Sequence, residues 1–94
     1  MEMPVVRECA AEACAYNREL SCHALAITVG DARHPHCDTF VSGAPKGGDP
    51  TAVGRVGACK MSGCLHNVQL ECRAPGISVG VQSQGADCLT YASA

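Results

Sequence analysis

The clearest alternation of apolar and polar positions in this chain is Ala24-x-x-Ile27-x-Val29-Gly30, and it returns fifty residues later as Ala74-x-x-Ile77-x-Val79-Gly80. Each predicts a short strand with one buried face, ended by a glycine. Residues 37–41, CDTFV, and 88–91, CLTY, read as the strands that return beside them. Asn17 and Asn67 sit in more polar stretches, where an Asx turn or a left-handed residue would reverse the chain. Residues 10–15 have helical propensity but their counterparts, KMSGCL, contain a glycine, so a helical turn is expected in the first copy alone. The ordered apolar positions Leu20, Ile27, Val29 and Phe40 point to a folded unit, and Ile27, Val29, Ile77 and Val79 are the expected miniature core.

The echo is a duplication. At an offset of 50, Val6/Val56, Cys9/Cys59, Cys14/Cys64, Asn17/Asn67, Leu20/Leu70, Cys22/Cys72, Ala24/Ala74, Ile27/Ile77, Val29/Val79 and Gly30/Gly80 coincide. One inserted residue makes the offset 51, and Cys37/Cys88 and Thr39/Thr90 then match, with Phe40 facing Tyr91. Each unit reads C-x4-C-x7-C-x14-C, or x15 in the second copy, and the units together use all eight cysteines. The expected organisation is a first repeat over 5–41, a Gly/Pro-rich linker over 42–55 without a core of its own, and a second repeat over 56–92.

Composition says what such units lack. Of 94 residues, 47% are hydrophobic, yet Phe40, Tyr16 and Tyr91 are the sole aromatics. A chain so poor in large side chains needs a staple of disulfides, metal or a partner, and eight cysteines supply one. Net charge is -2 and the seven basic residues are scattered from Arg7 to Arg73, a poor footprint for nucleic acid. MEMPVVRECAA has neither the basic nor the apolar region of a secretory signal, and no stretch approaches the ~20 apolar residues of a membrane span. A cytoplasmic protein is expected, with thiols reduced and closely spaced thiols pointing to metal.

Four thiolates around one ion form the closed tetrahedral arrangement of structural zinc. Sorted by repeat, the expected ligands are Cys9, Cys14, Cys22 and Cys37 for one Zn2+ and Cys59, Cys64, Cys72 and Cys88 for another. Such sites explain why intervals persist while filler drifts: the ion fixes the sulfurs and leaves exposed spacer residues free. Each site would carry a formal charge of about -2, so backbone N–H groups must moderate it, which favours small spacer residues such as Ala10, Ala13, Ser62 and Gly63. Four disulfides, an iron-sulfur cluster or a multinuclear thiolate cluster are the alternatives; the tight x2 pair usual for iron-sulfur proteins is missing. His23, His34, His36 and His66 have no histidine counterparts and are expected at the surface or as donors behind the ligands.

The pattern C-x4-C-x-Y-N-x4-C-x-A-x-x-I-x-V, then a cysteine and T-F, is similar to the small bacterial cysteine-rich domain of unknown function 1540. Cys9, Cys14, Tyr16, Asn17, Cys22, Ala24, Ile27, Val29, Cys37, Thr39 and Phe40 carry the resemblance in the first copy; the second has His66 for the tyrosine and Tyr91 for the phenylalanine. The resemblance implies metal binding by the four cysteines and no reaction.

The fold class expected is therefore a small metal-stabilised fold: two tandem four-cysteine zinc modules with short β-hairpins and little helix. Cys37 and Asp38 beside His36 make no convincing nucleophile, because a thiolate in a closed zinc site is a poor one, and no Ser-His-Asp, P-loop or HExxH pattern is present. The expected function is a non-enzymatic interaction module with a protein partner and no nucleic acid or membrane. The alternative is a zinc buffer or a zinc and redox sensor with labile thiolate sites.

Overall fold

The computed structural model describes residues 3–30, 34–43, 46–82 and 85–94. Its strands are β1 (Val5–Cys9), β2 (Asn17–Arg18), β3 (Ser21–Cys22), β4 (Ile27–Val29), β5 (Val56–Cys59), β6 (Asn67–Val68), β7 (Glu71–Cys72), β8 (Gly76–Gln82) and β9 (Gly85–Cys88). No helix occurs among the described residues. The protein is a small cysteine-rich fold of short strand pairs, with eight cysteines in two repeats.

The repeats are interlocked. β1 of the first repeat runs parallel to β8 of the second, with Val6 beside Ile77 and Cys9 beside Val79. The same pairing recurs with the roles exchanged: β4 runs parallel to β5, with Ile27 beside Val56 and Val29 beside Cys59. The connecting hydrogen bonds are reciprocal as well. Ala10 N donates to Val79 O (2.9 Å) and its counterpart Lys60 N to Val29 O (2.7 Å); Cys37 N donates to Ala86 O and Cys88 N to Pro35 O, both at 2.7 Å. A pseudo-twofold axis thus relates the copies, and positions on it face their own counterparts: Val5 bridges Arg55, and His36 bridges Asp87.

This exchange produces one core rather than two. Val6, Ile27, Val29, Val56, Ile77 and Val79, all at most 3% exposed, pack together with Ala11, Ala24, Ala74, Ala86 and Met61. β-branched residues suit paired strands because their stiff side chains cover a pleated surface. Neither repeat holds enough of them to bury its own face, and each borrows the other's.

Between β2 and β3, and between β6 and β7, the chain reverses in two-residue turns. Their central residues all have positive φ: Glu19 53° and Leu20 65°, Gln69 51° and Leu70 67°. Both central residues at positive φ define the hairpin turn whose twist matches the flanking strands. Asn17 and Asn67 do not themselves reverse the chain. Each sits in a strand and braces the turn, Asn17 accepting from Leu20 N (3.2 Å) and donating to Cys9 O (2.7 Å), and Asn67 accepting from Leu70 N (3.1 Å) and donating to Cys59 O (2.9 Å).

Leu20 is a turn residue, 51% exposed, and lies outside the core, which does contain the expected Ile27, Val29, Ile77 and Val79. Left-handed backbone is costly for leucine and free for glycine. Leu20→Gly is therefore expected to stabilise the protein by up to about 1 kcal/mol, read as a higher denaturation midpoint.

Two other expectations shift. Residues 10–15 form the same non-helical turn as 60–65, with Cys14 N on Ala11 O and Cys64 N on Met61 O. The second returning strand ends at Cys88 instead of starting there, and in the first repeat the return is reduced to the Val29–Cys37 and His36–Asp87 bridges. Beyond these cysteines the chain bends back, tied by Thr28 N to Thr39 Oγ1 (3.1 Å) and Ser78 N to Thr90 Oγ1 (3.0 Å).

The Gly/Pro-rich connection runs back along the first repeat. Gly47 N donates to Ala15 O, Asp49 N to His23 O and Gly54 N to Cys22 O, while His23 Nδ1 donates to Ala52 O (2.8 Å).

Candidate metal centres

The fold sorts the cysteines by repeat. Cys9, Cys14, Cys22 and Cys37 line one cavity, and Cys59, Cys64, Cys72 and Cys88 line another. All eight are free thiols; Cys37, Cys72 and Cys88 are half-buried and the other five buried. Each cavity has room for about 20 Å³, little more than one water-sized sphere.

Local structure explains the convergence. The first cysteine ends β1 or β5, and the turn that follows carries the second back towards it. The third ends β3 or β7 and is paired with the bracing asparagine, Asn17 with Cys22 and Asn67 with Cys72. The fourth arrives on the segment that crosses the pseudo-twofold axis, held by an amide hydrogen bond to the other repeat. Each cavity is closed from behind by that other repeat: Val79 and Ala86 wall the first set, Val29 and Pro35 the second. Repeat counting alone could not show this exchange of walls. The occupants of the tyrosine position, Tyr16 and His66, line corresponding cavities, so the two units pack alike despite the replacement.

Burial raises the thiol pKa of Cys22, Cys72 and Cys88, and that of Cys37 to about 11, with the neighbouring sulfurs adding a smaller push in the same direction. Backbone amides oppose the shift: those of Ala24 on Cys22, Thr39 on Cys37, Ala74 on Cys72, and Thr90 and Tyr91 on Cys88. At the third and fourth cysteines the charge-moderating N–H groups are thus those that follow the sulfur in sequence. In both repeats the chain folds tightly round its third and fourth sulfurs and brings the amide two residues on within reach.

This donor set suits a metal ion. A buried set of thiols holds negative charge poorly unless a cation is present, while amides aimed at sulfur favour thiolate. Soft sulfur ligands select zinc or other thiophilic ions, and a closed set of four serves a structural role. The backbone is also close-packed against one of these sulfurs: a Cβ on Gly54 would stand 2.7 Å from Cys22 Sγ. Among the described residues, ligand atoms that all lie within 4.8 Å of one another belong to a different group, His34, His36 and Asp87. The sulfur sets are more widely spread, so an ion would draw them inward.

With this geometry in place, the chain can be classed. It belongs to the family described as Domain of Unknown Function (DUF1540), whose model matches residues 8–40 and again residues 58–91. The protein is a tandem pair of that cysteine-rich domain. No curated protein and no solved structure matches it. No helix of the described residues is long and apolar enough to cross a membrane.

Proposed function

We propose that the protein is a cytoplasmic, non-enzymatic zinc protein in which two structural Zn2+ ions, one per set of four cysteines, hold a small interaction module in shape. The observation that supports it is the sorting of eight free thiols into two small pockets, each with amides turned towards its sulfurs. Cys9, Cys14, Cys22 and Cys37 would hold one ion and Cys59, Cys64, Cys72 and Cys88 the other. When bound, the ion neutralises thiolate charge and cross-links the turns that carry the sulfurs. At neutral pH the raised thiol pKa values mean that metal uptake expels protons. Closed four-sulfur sites leave no position for a substrate, which supports a scaffold over an enzyme. Exposed Leu25, Leu65 and Leu89 provide apolar surface for a protein partner.

A second reading rests on the partial exposure of Cys37, Cys72 and Cys88. Oxidants can reach these sulfurs, and oxidation would release the ions, as in a zinc or redox sensor. Zinc affinity separates the two: a site filled at any cellular zinc level is a scaffold, whereas one that half-fills near the free zinc level is a sensor.

Cys22→Ser tests the assignment itself. Elemental analysis of the purified variant is expected to give fewer than two zinc ions per chain, in a protein destabilised in both repeats. Two ions retained at full occupancy would remove Cys22 from the ligand set.

A further inference from the structure

Where the repeats cross, the pseudo-twofold axis sets His36 against Asp87, its own counterpart at the offset of 51. The crossing is rigid: Cys37 N–Ala86 O and Cys88 N–Pro35 O clamp it on both sides. A three-residue turn around Pro35, closed by His36 N on His34 O (2.9 Å), folds the two imidazoles towards each other, with ring centroids 5.4 Å apart. His34 Nε2 lies 2.7 Å from Asp87 Oδ2. Asp87 is 7% exposed, a carboxylate carried into the seam by the second repeat. Ligand atoms of His34, His36 and Asp87 all fall within 4.8 Å of one another.

From this cluster we infer a third metal site, independent of sulfur: His34, His36 and Asp87 bind a zinc-class divalent ion and clamp the two repeats together. Two imidazoles and a carboxylate are ordinary ligands for such an ion, with water completing the shell on the solvent side. On one ion, an imidazole nitrogen and a carboxylate oxygen sit about 3.3 Å apart, so the His34–Asp87 contact opens slightly as the metal enters. His34 can give way, since its side chain is 56% exposed. Asp38 Oδ1, 3.3 Å from His36 Nε2, steadies the second imidazole from within the first repeat; its other oxygen faces Lys60 Nζ at 3.6 Å, which keeps Asp38 an orienting group and not a ligand. Fewer and harder ligands than the thiolate sets make this the weaker site, filled after the sulfurs. It ties together the segments that deliver Cys37 and Cys88, so its occupancy stiffens the fourth arm of both sulfur pockets.

The test is a zinc titration of the metal-replete protein, followed by calorimetry and by imidazole nitrogen NMR. The wild type is expected to take one further Zn2+ per chain, with the His34 and His36 nitrogens shifting and those of His23 and His66 standing still. His34→Ala, a surface change that leaves the core intact, is expected to weaken this event at least about tenfold, and Asp87→Asn should weaken it likewise. The absence of imidazole shifts in the wild type, or unchanged affinity in His34→Ala, would overturn the assignment. Because the signal is read on imidazoles, the result stands whichever metal the sulfurs hold.

Discussion

Chelating the metal from the protein is expected to unfold the whole chain in one transition, with neither repeat left standing. The core contains six fully buried valine and isoleucine side chains and no large aromatic among its fully buried members. Against it stands the entropy of ordering the backbone, about 1–2 kcal/mol per residue, much of it in turns that gain little from burial. Hydrogen bonds of the two-residue strands β2, β3, β6 and β7 are local and do not make up the difference. On the proposed reading ion binding supplies the missing folding free energy, as it does in small metal domains. The parallel pairings of β1 with β8 and of β4 with β5 make the loss global: once one sulfur set loosens, the strand it anchors stops covering the other repeat. Amide spectra recorded during chelation should lose dispersion for residues of both repeats at the same metal deficit. Native dispersion in the fully stripped chain would contradict the argument.

Cutting the chain in the connection is the second large perturbation. Each isolated repeat would keep its four cysteines and its own hairpin, but it would lose the opposite strand and the back wall of its cavity, Val79 and Ala86 for the first repeat, Val29 and Pro35 for the second. The exposed face would consist of Val6, Ile27 and Val29, or Val56, Ile77 and Val79, all now deeply buried. A single repeat can satisfy that face by pairing with a second copy of itself, because the pseudo-twofold relation becomes a true twofold when both halves are identical. Residues 1–49 with zinc are thus expected to run as a dimer in size-exclusion chromatography with light scattering, and to unfold on dilution. A folded, metal-loaded monomer of one repeat would show that the exchange of strands is dispensable.

The sorting of the cysteines into two sets of four was legible in the sequence, because their spacing and its duplication record which sulfurs belong together without reference to any strand. The strand at Ile27–Val29 and its counterpart could be read from their alternation, which depends on one buried face. What escaped was non-local. Val5–Cys9 carries a charged Arg7–Glu8 pair in its middle and has no alternation of its own, so its role as the partner of β8 appears only once the repeats are superposed in space. The turn at Glu19–Leu20 lacks the Asn-Gly signature of its class; Asn17 enforces it from two residues upstream through side-chain hydrogen bonds that no local propensity scale records. The same holds for His34, His36 and Asp87, which lie about fifty residues apart in sequence and meet because His36 and Asp87 precede equivalent cysteines. That equivalence at the offset of 51 was the available signal. Its meaning depended on the axis passing between them.

Native mass spectrometry of the protein purified without added metal tests the central claim most directly. The account predicts a chain carrying two zinc ions, all eight cysteines reduced, and an ion count that falls to zero together with the compact charge-state distribution when metal is removed by acid. A metal-free chain of compact charge state, lighter by two hydrogens for every pair of cysteines, would show that disulfides do the work assigned here to metal.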